Sequence, residues 1–334
     1  MNVENSIATQ KVLIAPLNWG LGHAARCVPI IKQHIEAGNE VIIASDGDAL
    51  DFLKKEFPQL RCFQLPSYRV IYHLNWFWVR FLYHLLYLKK AIKSEHKATC
   101  EIVNTLKPDI IISDNRYGVY HPHSKSLLIT HQLSFVFKGW KKIFTTPARK
   151  ILAGLINKFD ECRVPVPDIN NNLIPELVKN EFINIDIVPV GYLSRFRYTS
   201  GAEKTIDVLV LITGPENYRT EFENEMIEQL NESDCNGILI RSSNKSMIKN
   251  LTNHRVTVVD FATTEQLQHW LAHTKTLISR SGYSTVMDAL QFDCECLFIP
   301  TPNQPEQEYI AQQWANRKYR QLPIGKVKAG EKIL

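Results

Sequence analysis

Two short stretches of this 334-residue chain combine residue types that packing alone does not require. In NWGLGHAARC (18–27), His23 stands among glycines just ahead of a helical pattern. Gly20 and Gly22 permit a tight turn and close approach of a ligand to the backbone. A helix opening near Ala24 would offer free N–H groups to an anion. An imidazole at such a helix mouth is either a capping or surface group, or a general base or hydroxyl contact. In SRSGYSTVMDAL (279–290), Arg280, Ser281 and Gly282 fall where an apolar run gives way to a helical pattern, and Asp288 follows six residues after Gly282. Charge, a hydroxyl and N–H groups at a helix start suit a phosphate. At 1.5 Å per residue the carboxylate lies about 9 Å further along, the offset between a diphosphate and a ribose diol.

Other candidates fall at the ends of apolar runs. SDNRYG supplies Asp114, which could orient His23, act as a base itself or cap a helix, and Asn115 beside it. THQLSF supplies His131 and Gln132, and LITGPEN supplies Gly214, suited to close phosphate approach. In DFATTEQ the backbone of Phe261 and Ala262 could read a base edge, with Thr263 or Thr264 capping the next helix. IPTPNQPEQEYIA places Glu306, Gln307 and Glu308 at a helix start, where amides and acids hold sugar hydroxyls. Asn18 and Arg26 flank His23 and join Asn115, His131 and Gln132 as candidates for holding a second substrate. Asp46-Gly47-Asp48 superficially matches a metal-binding acidic pair, but capping of a helix from Ala49 is the simpler role. No His/Cys/Glu cluster offers better ligands, so no metal is expected.

These residues need a scaffold that brings strand ends together. Apolar runs at 11–17, 39–46, 108–114, 126–132 and 183–191 alternate with helical patterns, notably Ala24–Ala37 and Ile71–Leu106. The rhythm restarts at 206–214, 236–243, 256–262, 276–282 and 296–300. Such runs read as strands buried on both faces, and the helices between them as parallel crossovers. The expected fold class is α/β, with two doubly wound parallel-sheet domains, 1–192 and 206–334, joined by a linker at 193–205 and facing a cleft. In such sheets ligands bind beyond the carboxyl ends of the strands.

Composition narrows the class. Hydrophobic residues make up 45% and charged residues 22%, which fits a core-forming globular chain. The net charge of +5 lies in the first half: residues 58–94 and 115–159 hold six and eight Lys/Arg with no acid. The stretches 68–97 and 138–158 mix these cations with aromatics and leucines, as a patch for anionic headgroups would. Such stretches could also suit RNA, but no RNA-binding motif accompanies them, and no nucleic acid is expected. Seven cysteines without a CxxC suit reduced thiols. The polar, acid-bearing amino terminus does not read as a signal peptide, and no apolar run reaches 18 residues. Cytoplasmic localisation, peripheral at the inner face of the cell membrane, is expected.

On GLGHAAR, SRSGYSTVMDAL and PNQPEQEYIA the chain resembles the GT-B glycosyltransferases, closest to the MurG-like group, over nearly its whole length. The resemblance implies two Rossmann-like domains, the first holding an acceptor and the second a nucleotide-sugar, with UDP-sugar as co-substrate and neither metal nor cofactor. It implies that Asp288, where the family usually has Glu, grips the ribose hydroxyls. Arg280, Ser281, Gly282, Ser284 and Thr285 would lie in the donor loop, with Gly22 and Gly214 at the glycine turns. The backbone near Phe261 and Ala262 would face uracil, and Arg195 would lie near the diphosphate. Gln307 and Glu308 would touch the sugar, where the family commonly has two glutamines. GLGHAARC is also similar to the loop of UDP-sugar hydrolases of the same fold, whose histidine helps water attack the anomeric carbon. The expectation is inverting transfer of a sugar, an N-acetylhexosamine, from UDP to a lipid-linked or glycan acceptor. His23 would be the base and Asp114 its partner, with UDP-sugar hydrolysis as the alternative and, behind it, nucleotide-sugar binding without catalysis.

Overall fold

A computed structural model describes residues 9–68, 77–137, 139–214, 216–241 and 250–316. The chain forms two compact units. The first comprises residues 1–135, 143–171 and 177–192, and the second comprises 136–142, 172–176 and 193–334. Residues 193–205, read above as a linker, are held within the second unit: Thr199 bridges to Phe292, and Lys204 Nζ donates to the Ala272 carbonyl.

In the first unit the described strands are β1 (Lys11–Pro16), β2 (Glu40–Ser45), β3 (Arg61–Gln64), β4 (Ile110–Asp114), β5 (Lys125–Ile129), β6 (Glu161–Val164) and β7 (Asp186–Pro189). They pair in the order β3-β2-β1-β4-β5-β6-β7, every pair parallel. Helices α1 (Leu21–Glu36), α2 (Gly47–Glu56), α3 (Phe77–Leu106) and α4 (Thr145–Ile156) supply crossovers. The strands are β-branched because both sheet faces are covered. Leu13, Ala15, Ile42, Ala44 and Ile111 pack with Ile102, Val103 and Leu106 of α3, while Val12 and Ile14, pointing to the opposite face, are also buried.

The second unit repeats the plan with β8 (Ile206–Leu211), β9 (Gly237–Ile240), β10 (Val256–Val259), β11 (Thr274–Arg280) and β12 (Glu295–Ile299), in the parallel order β10-β9-β8-β11-β12. Its helices are α5 (Glu216–Glu232), α6 (Thr264–His273), α7 (Tyr283–Ala289) and α8 (Pro305–Asn316). Phe222, Met226, Ile227 and Leu230 of α5 close over Val208, Val210, Leu239 and Ile278.

Each sheet therefore reverses direction next to its first strand, between β1 and β4 and between β8 and β11. The loops leaving those strands diverge to opposite faces and open a crevice at the carboxyl ends. The candidate residues gather there: His23 follows β1 and Asp114 ends β4, while Gly214 follows β8 and Arg280 ends β11.

The fold departs from the sequence reading in detail. Helix α1 begins at Leu21 because Gly20 adopts φ +74°, the left-handed turn residue, so Gly22 and His23 lie in its first turn. Strands β3 (RCFQ) and β6 (ECRV), short and half polar, were not foreseen. Residues 71–76, read as helix, lie outside the described residues, as does Lys138 of the 138–158 stretch.

Candidate active site

The first-unit site is a buried polar cluster at the switch point of the sheet. Asp114, fully buried at the end of β4, accepts from Arg26 in a bidentate pair along one guanidinium edge: Nε to Oδ2 at 2.6 Å and Nη2 to Oδ1. His23 Nδ1 lies 3.0 Å from the same Oδ1. Arg26 Nη1 donates to His131 Nδ1 at 3.2 Å, and Cys27 Sγ approaches Asp114 Oδ2 at 3.5 Å. The helical spacing of α1 sets this up: positions 23, 26 and 27 share one helix face.

The protonation of His23 follows from its neighbours. Arg26 Nη2 also lies 2.9 Å from His23 Nδ1, but one ring nitrogen cannot accept from Arg26 and donate to Asp114 at once. An ionised carboxylate is the strongest acceptor within reach of an imidazole N–H, and Asp114 Oδ1 is that acceptor for Nδ1. We therefore assign the proton to Nδ1, donated to Asp114, leaving a lone pair on Nε2. Burial first, and then the adjacent Arg26 charge, lower the His23 pKa from its ordinary value, so the ring is neutral at neutral pH. Burial pushes the Asp114 carboxyl upward, but Arg26 and His23 outweigh it and hold the group well below the usual carboxylate range. The His23 side chain keeps 12% exposure while Asp114 has none, so the ring is the part of the cluster that meets solvent. This arrangement can remove a proton from a hydroxyl.

Of the residues expected to hold a second substrate, the structure engages most internally. Asn18 accepts from the Ala49 N–H at 3.2 Å and donates to Asp46 Oδ2 at 3.3 Å. Asn115, at φ +60°, accepts from Thr130 Oγ1 and the Tyr117 hydroxyl. Arg26 and His131 belong to the buried cluster, while Gln132 is half-buried.

Asp46 precedes α2 without capping it through its side chain. It is taken instead by Arg116, whose Nη1 donates to Glu95 at 3.0 Å and whose Nε donates to the Pro16 carbonyl at 3.1 Å. Ser67 donates to Asp46 at 2.6 Å, and the Tyr68 hydroxyl and Gly118 N–H donate to Glu95 at 2.5 and 2.8 Å. Sequence reasoning missed this network because its members lie far apart in the chain. Among the described residues no group of three or more His, Cys, Asp or Glu is placed to hold a metal ion.

In the second unit Asp288 is half-buried on α7 and accepts from Ser194 Oγ at 2.6 Å. Burial raises its pKa to about 6, opposed by Arg195 and the Ser194 bond. Arg195 lies over the Phe196 ring and donates to Thr264 Oγ1 at 3.3 Å. Gly214, exposed at φ +112°, occupies a conformation that disfavours any side chain. Thr301 Oγ1 lies beside it, buried and without a hydrogen-bond partner among the described residues. Ser284, Thr285 and Glu308 are half-buried, Phe261 is exposed and Ala262 is buried. Thr263 caps α6 in a capping box with Gln266.

Three expected ligand groups turn inward. Arg280 donates to the carbonyls of Pro300 and Tyr218 and stacks over Phe222, with burial lowering its pKa to about 10. Its charge remains near the switch point, but those donors tie the first turn of α5 to the residue after β12. Ser281 Oγ donates to the Gln307 carbonyl at 2.8 Å. The Gln307 amide accepts from the Thr301 N–H and donates to Gln304, shaping the loop before α8. Gly282 precedes α7 at φ −68°, which any residue adopts.

Comparison with known proteins bears on the fold. Residues 209–322 match the family described as Glycosyltransferase family 28 C-terminal domain. An uncharacterized glycosyltransferase of Methanosarcina mazei is 22% identical over 322 residues, spanning 89% of this chain and 82% of its own length. Among solved structures, the calicheamicin glycosyltransferase CalG4 superposes with a TM-score of 0.61 at 13% identity, over 92% of this chain and 84% of its own. Arabidopsis thaliana UGT89C1 complexed with UDP-L-rhamnose gives 0.60 at 14% identity, over 92% and 83%. The glycotransferase of kitacinnamycin gives 0.60 at 11%, over 96% and 88%. The architecture is that of the GT-B enzymes.

Proposed function

We infer that this glycosyltransferase of GT-B fold moves a sugar, an N-acetylhexosamine in our reading, from UDP to a hydroxyl of a lipid-linked or membrane-associated acceptor by one inverting displacement. The observation that carries the reading is the His23–Asp114–Arg26 cluster, a neutral imidazole whose Nδ1 is tethered and whose Nε2 is free to accept a proton. As the acceptor oxygen attacks the anomeric carbon, its proton passes to Nε2. The imidazolium that forms is stabilised by the buried Asp114 carboxylate, and the bond to the diphosphate breaks.

In the second unit Asp288 is the acceptor for the ribose diol, steadied by Ser194, and Arg195 supplies charge near the diphosphate. The open turn at Gly214 lets phosphate approach the backbone, and the Arg280 charge adds a favourable field while its donors hold the first turn of α5 to the residue after β12. Fixed dipoles and charges of this kind stabilise a departing diphosphate without reorganising. A membrane-associated acceptor is supported by exposed Trp140, Ile143 and Ile151 interspersed with exposed Lys142 and Lys150. No helix among the described residues is long and apolar enough to cross a membrane.

The test is a thermal-shift screen of UDP-sugars followed by UDP release with and without acceptor. Stabilisation by UDP-sugar and acceptor-dependent release support transfer. Equally fast release without acceptor would assign the site to hydrolysis, and no stabilisation by any UDP-sugar would overturn the reading.

A further inference from the structure

We propose that Cys294 and Cys296 form a peroxide-responsive dithiol, a site where a hydroperoxide oxidises Cys294 and Cys296 then closes a disulfide onto it. The two sulfurs lie 3.8 Å apart, and Cys296 Sγ is 3.6 Å from the Cys294 carbonyl oxygen. Their spacing in the chain brings them together. Residues two apart on an extended strand share one face and sit about 6.6 Å apart along it, within the roughly 4.4–6.8 Å that a disulfide spans. Cys294 stands at a bend immediately before β12, and Cys296 is the second residue of that strand. Strand β12 ends the order of its sheet and pairs with β11, with Leu277 opposite Cys296, so closing a bridge disturbs the ladder on one side alone. The pair lies at the amino end of β12, whereas Thr301 and Gln307 follow its carboxyl end. At ~3.3 Å per residue the strand separates them by about 16 Å, so this site is distinct from the donor crevice.

The two thiols are unequal in the way this chemistry needs. Cys294 is half-buried and meets solvent, while Cys296 is buried. The hydrogen bond from Cys296, and then the Lys204 charge, hold the Cys294 thiol below its ordinary pKa against burial and Asp293. Lys204 is itself fixed by its bond to the Ala272 carbonyl. The same sulfur contact, together with burial, pushes Cys296 up. An accessible thiol that ionises readily, beside one that keeps its proton, makes a reacting and a resolving cysteine. The other cysteines lack this setting. Burial pushes up Cys27, Cys62 and Cys162, the last to about 12, while Cys100 meets His96 and Cys235 meets Ser233.

In the first step the Cys294 thiolate attacks one peroxide oxygen. An S–O bond forms, the O–O bond breaks, and the hydroxide that leaves takes up the proton Cys294 had released. The Cys296 sulfur then attacks the sulfenic sulfur. The S–S bond forms, the S–O bond breaks, and the hydroxyl departs as water with the Cys296 proton. Each sulfur loses one electron, and the peroxide receives both. A bridge across one intervening residue closes a small, strained ring, and strained disulfides are the readily reduced ones, so a reducing thiol pool restores the pair.

The experiment treats the reduced full chain with hydrogen peroxide in slight excess, alkylates the remaining thiols and reads each cysteine by peptide mass spectrometry. The peptide holding Cys294 and Cys296 should lose two hydrogens and escape alkylation about 10-fold faster than Cys62 or Cys235 is oxidised, the scale of a readily ionised thiol against ordinary ones. Dithiothreitol should restore both thiols. Cys294→Ser should abolish oxidation at this site, and Cys296→Ser should halt it at a sulfenic acid on Cys294 that dimedone traps. A disulfide joining Cys294 to any cysteine other than Cys296, a sulfenic acid that persists in the unsubstituted chain, or oxidation no faster than at Cys62 would overturn the proposal. Those three readings come from the unsubstituted chain, so they decide the matter even where a variant fails to fold.

Discussion

Arg26 and Arg116 are both almost wholly buried in the first unit, and each is paired with an aspartate near a strand end, Asp114 and Asp46. Their surroundings differ. The Arg116 network closes on itself: Asp46, Glu95, the Pro16 carbonyl, Ser67, Tyr68 and Gly118 take up its donors and acceptors. The Arg26 network ends on an imidazole at the protein boundary. A buried ion pair is by itself weak evidence for stability or for chemistry, because desolvation costs about as much as the attraction returns. What separates the two is whether a titratable group with an unused lone pair faces outward.

Substitutions can sharpen or break that contrast. The largest effect is expected from His23→Ala, a fall in kcat of about 10³-fold, within the range for removing a general base, with UDP affinity and melting temperature nearly unchanged. Weakened UDP binding would instead make His23 a donor ligand. Asp114→Asn should lower kcat by about 10²-fold or more, because an amide can present an N–H to Nδ1 and reverse the tautomer. It should also destabilise the fold by about 3–5 kcal/mol in urea unfolding, since Arg26 is left buried without its counter-charge. Arg116→Met should cost about as much stability, stranding Asp46 and Glu95, yet leave kcat per folded molecule within a few-fold. A kcat collapse without loss of stability would erase the distinction between the networks.

Smaller effects come from titration and from the donor site. Catalysis needs His23 unprotonated, and its pKa is lowered by burial and Arg26, so activity should persist as pH falls past the ordinary histidine value and fail only on the acid side of it. Asp288 must be ionised to accept from a ribose diol. Its pKa of about 6 predicts that the donor KM rises as pH drops through 6 and levels off above it. Asp288→Asn should raise donor KM by about 10-fold, the scale of one hydrogen bond to a charged group, and remove that pH dependence. A KM that stays flat from pH 5 to 8 in the unsubstituted protein would remove Asp288 from the donor site.

The same contrast explains what could be read in the sequence. Strands buried on both faces left uninterrupted apolar runs, so most of the strands were legible, while β3 and β6, four residues each and half polar, carried no such signal. His23 and Arg26 share a local motif, and Asp114 was legible as the end of an apolar run. Arg116 stands in the same SDNRYG stretch, where nothing local marks it. Its partners come from 70 and 21 residues away, and no local spacing encodes such pairs. Asp46 reads locally as a helix cap for the same reason. On the donor side, residue type singled out loops at the strand ends of the second sheet, but it could not say that Arg280, Ser281 and Gln307 would turn their polar atoms inward and leave Asp288 with Ser194.

The account stands or falls on a single displacement assisted by one base, and product stereochemistry tests that most directly. With an α-linked UDP-sugar donor, the anomeric proton coupling of the isolated product, read by NMR, should report a β-glycoside. An α-glycoside would mean that the configuration is retained, and a proton taken by His23 in one displacement could not produce it.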